Sequence, residues 1–524
     1  MSVGDDRSGD GWEKEVVDLA RRRELARGLG GEAAVARQHA AGKLTARERI
    51  DALVDAGSFN ELGALAGNAR YDGDRLAEFT PTNSIIGTGR SEGRKLVVSA
   101  DDYTVRAGSS ESAIAAKWLY AEKYALEMRL PLVRLVETAG GSVRLLDKAG
   151  ATKIPGYADW RSAELLGTVP VVGVAMGACA GLGAFKVAAS HFSVMVKGTS
   201  QVFAAGPHLV KAGTGVEVDK EALGGAEVHT RGSGLIDNAA EDEADALAQA
   251  RRFLSYLPPS VHELPPVVET DDLAGRADEA LLSIVPRQRR RVYDMRRLLA
   301  YVFDRDSLFE IAPGNGRSVI AMLGRLAGRP VGVIGNDPRI YGGGLSRGAA
   351  EKMETFVDLC DTFHLPIVTF VDQPGVLIGP EAEKAGTFRA AVRLLAAIEQ
   401  SRVPWTSIIV RRLFGVAGSA YARLGGLNLH FAWPSARWGS LPLEGGVYAA
   451  HRREIEAAED PGARLAELTG AYEHLSSPLR TAESFGVPDI IDPRRTRPIL
   501  CDWIEDAYRL LPEQLGPRTR TMRR

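Results

Sequence analysis

Two short glycine-rich stretches are the residues whose types and spacing could do chemistry without a charged side chain. They are GACAGLGAF at 177–185, behind the apolar run Val171–Val174, and FGVAGSAY at 414–421, behind Ser407–Val410. A glycine turn that ends a buried strand and opens a helix presents backbone N–H groups at the positive helix end, where an oxyanion or enolate is stabilised. Two such turns predict two oxyanion holes. The equal alternative is that small residues merely permit close helix packing.

Side-chain chemistry has weaker support. Glu137 and Asp372 end the apolar runs LPLVRLVET and LPIVTFVDQ, where a catalytic acid or a structural carboxylate fits equally well. Gly344-Leu345-Ser346-Arg347-Gly348 has the form of an esterase nucleophile elbow, but NDPRIYGG separates Ser346 from its strand, so the segment reads as a loop before a helix. The nine histidines include no pair at i, i+4, and His39, His191 and His364 read as solvated or satisfied. No GxxxxGK[ST], no HExxH and no strand-borne GxGxxG occurs, which disfavours nucleotide-driven or metal-centred chemistry in this chain. Cys179, Cys360 and Cys501 lie far apart, forming neither a disulfide framework nor a CxxC zinc site, and are expected as reduced thiols.

The elements that must position the two turns are written twice. TGRSEGRKLVVSADDYTVRAG and LGRLAGRPVGVIGNDPRIYGG align so that Gly89 pairs with Gly324, Asp102 with Asp337, Gly108 with Gly343, Lys117 with Lys352, Pro131 with Pro366 and Gly140 with Gly375, all 235 positions apart. Gly181 and Gly415 follow at 234. The partner of Ser346 is then Glu111. Each half reads as a short strand (LVVSA; VGVIG), a glycine-rich loop, a long amphipathic helix (Ser112–Met128 in the first), a buried strand, and a second helix and strand running into the turn. Such alternation predicts an α/β fold. The Pro-rich stretch 257–272 separates the halves, giving a flexible tail over 1–28, domains over 29–265 and 266–511, and a frayed tail over 512–524.

With 65 basic and 67 acidic side chains in 524 residues the charge is near balance, so a nucleic-acid or acidic-membrane role is disfavoured. The charged start carries no signal-peptide core, and Val169–Phe185 reads as a buried strand, turn and helix rather than a membrane span. The basic run RQRRRVYDMRR at Arg287–Arg297 reads as a solvated or interface helix face in preference to a phosphate-binding patch.

Several segments resemble one family. QHAAGKLTARERIDALVDAGSFNEL (Gln38–Leu62), SADDYTVRAGSSESAIAAK, MGACAGLGAF, FAAGPHLVKAGTGVEV, LGGAEVHTRGSGLID, FVDQPGVLIG, HFAWPSARWGSLPLEGG and DIIDPRRTRPIL, in this order, are similar to the carboxyltransferase (beta) subunit of biotin-dependent acyl-CoA carboxylases of the propionyl-CoA/methylcrotonyl-CoA type. The resemblance implies two tandem crotonase-like domains (ClpP/crotonase, β-β-α superhelix) from an internal duplication. It also implies carboxyl transfer from carboxybiotin to the α-carbon, or a vinylogous carbon, of an acyl-CoA through a thioester enolate.

Carried over residue by residue, the first turn (Gly181, Leu182, Gly183) holds the acyl-CoA thioester, and Gly140-Gly141 lines the CoA pocket. The second turn (Gly415, Val416, Ala417) holds the biotin ureido oxygen, with Ser419 near the substrate-selecting position. The family further implies a separate biotin carboxylase/biotin carboxyl carrier (alpha) subunit, a homo-hexameric core, a cytoplasmic location, and no metal in this chain. Leu182 and Val416 stand where propionyl-type members have glycine, and Phe185, Val187 and Ala139 also depart from the pattern. These departures keep two further readings open: a decarboxylase or transcarboxylase running toward biotin, and a silent scaffold that binds the biotin carboxylase partner.

Overall fold

Runs of β-branched residues buried on both faces favour strands covered on both sides, and the apolar runs of this chain form them. The computed structural model describes residues 11–152, 154, 156–157, 159–422, 427 and 429–520. Two compact units result: Met1–Leu165 with Val171–Ala226 and Ala239–Arg251, and Leu166–Pro170 with Glu227–Asn238 and Arg252–Arg524.

The first unit is built on β1 (Asn60–Leu62), β4 (Ser84–Ser91), β5 (Arg94–Asp101), β6 (Leu132–Thr138), β7 (Val171–Ala180), β8 (Phe192–Val196) and β10 (Asn238–Ala240), adjacent in that order, with β9 (Gln201–Phe203) also on β7. A separate hairpin, β2 (Gly67–Asp72) and β3 (Arg75–Pro81), interrupts the sequence after β1. The second unit repeats the order with β11 (Phe309–Ile311), β12 (Val319–Leu326), β13 (Arg329–Asn336), β14 (Ile367–Gln373), β15 (Trp405–Phe414), β16 (Leu429–Ala432) and β18 (Asp489–Ile490), with β17 (Arg437–Gly439) on β15. In each sheet the first strands pair antiparallel, and those from β5 to β8 and from β13 to β16 pair parallel.

The duplication reaches further upstream than the aligned sequence blocks. Thr45 and Asp294 both cap helices through their side chains, and Asp55 and Asp304 each accept two backbone N–H groups from the β4–β5 and β12–β13 turns; both pairs stand 249 apart. Glu61 and Glu310 share that offset. Downstream it falls to 235, and the 14-residue difference is the β2–β3 hairpin, present in the first unit alone.

Several local expectations are corrected. Residues 13–27 form a helix rather than a flexible tail, tied through Arg22 to Tyr71 of β2 at 2.9 Å. The long first-half helix begins at Ala115, because the Ser112 carbonyl is taken by Thr82 Oγ1 at 2.9 Å and cannot start the helical ladder. The second helix is full length only in the second unit (Thr387–Gln400); in the first it is two short pieces, Arg144–Ala149 and Ser162–Leu166. Arg287–Arg291 is not helical, since the helix starts at Met295 behind the Asp294 cap. The three cysteines are buried thiols, and burial pushes those of Cys179 and Cys360 well up.

The C-terminal stretch up to residue 520 is pinned rather than frayed. Gly516 N donates to Val261 O at 2.7 Å, the buried Arg518 donates to Asp361 O and to His364 Nδ1, each at 3.0 Å, and Arg520 pairs with Asp358 at 2.6 Å. Because Arg518 occupies Nδ1, His364 carries its proton on Nε2, which donates to Val261 O at 2.7 Å. Burial, with the Arg518 charge adding to it, lowers the His364 pKa to about 4 from its ordinary 6.5. The unfolded chain takes up this proton first, so stability is full above pH 6.5 and falls as the pH drops toward about 4. A loss of at most about 3 kcal/mol is expected across that window. Thermal midpoints measured from pH 7 to pH 4 for the parent chain and for His364→Gln check it, the variant showing the shallower decline.

Candidate active-site turns

Each turn follows a β-bulge in the strand that leads into it. The β6–β7 register shifts between Val136 and Thr138, and the β14–β15 register between Val371 and Gln373; the extra residues lie on β7 (176–178) and β15 (410–412), opposite Glu137 and Asp372. A bulge re-aims the side chains it carries, which on β15 include Arg411 and Arg412, and both carboxylates are fully buried. Glu137 is held by Arg49 at 2.6 Å, by Gln38 at 2.8 Å and by Lys43. Arg49 also binds Glu243 through Nη2 at 2.6 Å. Asp372 is held by Arg411 at 2.8 Å and by Arg412 at 2.6 Å. These are structural carboxylates; their oxygens are spent on fixed cations.

The backbone beside each bulge requires glycine. A Cβ on Gly108 would lie 2.5 Å from the Glu137 carbonyl oxygen, and one on Gly343 would lie 2.4 Å from that of Asp372. Beyond the bulge, Thr138 Oγ1 accepts from Gly140 N at 3.0 Å, and Gln373 Oε1 accepts from Gly375 N at 2.7 Å. Gly140 (φ +83) comes so close to β7 that a Cβ would meet Ala180 O at 3.0 Å, whereas Gly141 faces open space. Sequence reasoning found Gly140 and Gly141 but passed over Gly108, Gly343 and Thr138, although the repeat had already paired the two glycines.

The turns then follow. Gly181 (φ +56) caps the helix Leu182–Ala188, and Gly415 (φ +68) caps the 3-10 turn Val416–Tyr421. Their own amides are already used: Gly181 N donates to Phe203 O at 3.0 Å and Gly415 N to Gly439 O at 3.1 Å. These bonds clip each turn to β9 or β17. The amides of Leu182, Gly183, Val416 and Ala417 have no acceptor among the described residues, so the donors begin one residue after each glycine. Gly183 packs against Thr138, whose Cγ2 a Cβ would meet at 2.4 Å. Val416 is 60% exposed, so its side chain extends into solvent rather than over the amide. Ser419 donates its hydroxyl back to Val416 O at 2.7 Å. The geometry offers, in each unit, a pair of adjacent N–H groups unpaired among the described residues, suited to stabilising negative charge on oxygen.

Other candidates resolve as structure. Ser346 caps the helix Arg347–Thr362 and accepts from Ala349 N at 3.1 Å. His191 Nδ1 accepts from Val171 N at 3.0 Å, and His39 pairs with Glu48 at 2.9 Å. Among the described residues no cluster of metal-ligating side chains occurs, and no helix is long and apolar enough to cross a membrane.

Comparison with known proteins gives a consistent result. The family described as carboxyl transferase domain matches residues 37–509. The chain is 36% identical over 490 residues to a propionyl-CoA carboxylase carboxyltransferase subunit of Haloferax mediterranei, covering 93% of this chain and 94% of the relative. It is 34% identical over 473 residues to the methylmalonyl-CoA decarboxylase subunit alpha of Veillonella parvula, covering 90% and 91%. A solved structure of transcarboxylase 12S, described as a hexamer with methylmalonyl-coenzyme A and methylmalonic acid bound, superposes with a TM-score of 0.86 at 30% identity, covering 100% of this chain and 99% of that one.

Removing Glu137 leaves Arg49 and Lys43 short of a counter-charge in a buried site, a loss on the order of 3 kcal/mol. Glu137→Ala is expected to lower the thermal midpoint sharply, with Asp372→Ala similar, as calorimetry would show. A catalytic acid would instead lose turnover at unchanged stability.

Proposed function

The chain belongs to the carboxyl transferase family, and from that membership we propose that it acts as the carboxyltransferase subunit of a biotin-dependent acyl-CoA carboxylase, its two crotonase-like units serving the two substrates. The observation that carries the mechanism is the recurrence of the same unpaired amide pair at equivalent turns, Leu182/Gly183 and Val416/Ala417. Biotin, carried as its N-carboxy derivative on a separate subunit, supplies the carboxyl group.

In the first unit the thioester oxygen of the acyl-CoA sits on the Leu182 and Gly183 amides, which stabilise it as the α-carbon gives up its proton, which the ureido nitrogen freed of its carboxyl group would accept, and the oxygen becomes an enolate. Gly181 sets the turn through its sheet bond, and Gly140-Gly141 keeps the approach open, since a Cβ at Gly140 would press on Ala180 O. In the second unit the Val416 and Ala417 amides would receive the ureido oxygen and would favour negative charge on it. Gly415 plays the part of Gly181, and Ser419 holds the turn through Val416 O. The pocket thus fits the group by donor chemistry: two adjacent N–H groups for one carbonyl-type oxygen in each unit.

The functional halves are residues 29–265 and 266–511. The working assembly is a homo-hexameric core with a biotin carboxylase/carrier partner in the cytoplasm, a placement that the unpaired cysteines favour. The 34% identity to a decarboxylase subunit supports a second reading of direction, decarboxylation toward biotin. The same amides serve both directions, because each must stabilise the same enolate.

Purified protein incubated with free biotin and a panel of malonyl, methylmalonyl and longer carboxyacyl-CoA thioesters is expected to decarboxylate one of them in a biotin-dependent manner. Proline fits the first position after a cap without strain and removes only the N–H. Val416→Pro is therefore expected to lower turnover on the order of 100-fold with the oligomer intact on size exclusion. Unchanged turnover would refute the second hole.

A further inference from the structure

Each glycine turn is held by a further side-chain tie, separate from the glycine itself and from the clamped carboxylate. In the first unit the helix Leu182–Ala188 carries Lys186, three residues beyond Gly183 and four beyond Leu182. That spacing puts it on the same helix face as the two free amides' residues, one turn on. Its Nζ reaches Asp101 Oδ1 at 3.5 Å and lies 4.5 Å from the centroid of the Trp118 ring. In the second unit the 3-10 turn ends at Tyr421, whose hydroxyl accepts from Asn336 Nδ2 at 2.6 Å and from Gln373 Nε2 at 3.4 Å.

The two ties are one device repeated. Lys186 and Tyr421 stand 235 apart, as do their anchors Asp101 and Asn336, the last residues of β5 and β13. Each anchor also meets the backbone N–H of the residue whose carboxylate is clamped. That of Asp372 donates to Asn336 Oδ1 at 3.0 Å, and that of Glu137 bonds to Asp101. One side chain thereby joins the residue opposite the bulge to the segment bearing the free amides. The turn glycines are 234 apart because the second turn holds one residue more, six from Gly415 to Tyr421 against five from Gly181 to Lys186.

Stability alone does not account for the first tie. Lys186 and Trp118 are buried, and burial raises the Asp101 pKa against the pull of the Lys186 charge. A buried ion pair gives little net stability while enforcing a narrow geometry, and at the equivalent place the fold is served by the neutral Asn336–Tyr421 pair. The far end of the helix is fixed as well, where Arg134 Nη1 donates to Lys186 O at 3.0 Å and to Ala189 O at 2.5 Å. Held by Gly181 N on Phe203 O at one side and by Lys186 on Asp101 at the other, the Leu182 and Gly183 amides have little freedom to shift.

We propose that Lys186 and Tyr421 are positioning residues for the two amide pairs, Lys186 acting through Asp101 on Leu182 and Gly183, and Tyr421 acting through Asn336 and Gln373 on Val416 and Ala417. The inference rests on the carboxyltransferase reading and deepens it: each tie serves one substrate, the acyl-CoA thioester in the first unit and biotin in the second. Neither side chain touches the reacting atoms.

The test combines steady-state decarboxylation of methylmalonyl-CoA in the presence of free biotin with amide hydrogen exchange, both on the full-length chain. Lys186→Met keeps a stem over Trp118 and loses the charge, and Tyr421→Phe loses only the hydroxyl. Lys186→Met is expected to raise the KM for the thioester about tenfold and leave that for biotin unchanged, and Tyr421→Phe to do the reverse. A general folding defect lowers the active fraction and moves neither KM. Asp101→Asn combined with Lys186→Met removes the uncompensated carboxylate, so the double variant is expected to recover the parent thermal midpoint while keeping the raised thioester KM. Hydrogen exchange reads the ties without turnover. In Lys186→Met the amides of Gly181 and Phe185, bonded to Phe203 O and Gly181 O, are expected to exchange about tenfold faster while those of Gly415 and Gly418 keep the parent rate, and Tyr421→Phe gives the converse. Unchanged exchange at a variant's own turn, exchange accelerated equally at both turns, or two KM values that move together or not at all overturns the proposal. A parent chain without turnover whose variants still show the separate exchange pattern counts against the carboxyltransferase reading and leaves the ties standing.

Discussion

A carboxylate buried at a β-bulge and clamped by two cations is the constraint from which the rest of each unit follows. Glu137 and Asp372 are inaccessible to solvent, so their charge is tolerable only with close, fixed counter-charges. Supplying them fixes the surroundings: the helix Ala46–Leu53 must present Arg49, and β15 must present Arg411 and Arg412. It also dictates where glycine is obligatory. A Cβ on Gly177 would lie 2.2 Å from Glu137 Oε1, and those on Gly108 and Gly343 would strike the carbonyls of Glu137 and Asp372. Net stabilisation from such pairs is small, but the geometry they enforce is narrow.

That geometry decides which amides are available for chemistry. The capping glycine of each turn uses its own N–H to bind a neighbouring strand, and the next two residues inherit the unpaired positions. The glycine is conformational: φ values of +56 and +68 are accessible to it at no steric cost. The donors that follow can carry side chains, which is why Leu182 and Val416 are compatible with a working turn and weaken the case for a silent scaffold.

Much of this was legible in the sequence because the chain repeats itself. The offsets of 235 and 234 aligned the strands, the turns and the loop glycines, and the glycine-after-strand pattern located both turns. What escaped was non-local. That Gly181 N–H is spent depends on Phe203, twenty-two positions away, and no local pattern encodes it. The clamp on Glu137 draws on Gln38, Lys43 and Arg49, far upstream, so the sequence left acid and structural carboxylate equally open. The tails were misjudged because charged, low-hydrophobicity ends look unstructured until ion pairs such as Arg520–Asp358 are seen. The hairpin concealed the upstream repeat by changing its offset.

The three thiols give the protein its own clock for local opening. Cys179 belongs to the first unit, and Cys360 and Cys501 to the second, and all are buried. A thiol whose pKa is raised by burial stays protonated and inaccessible, so an alkylating reagent gains entry only when the surrounding element opens. Labelling rates at Cys179 and Cys360 therefore register, without any introduced probe, the separate breathing of the two halves, including the strand that ends at the first glycine turn.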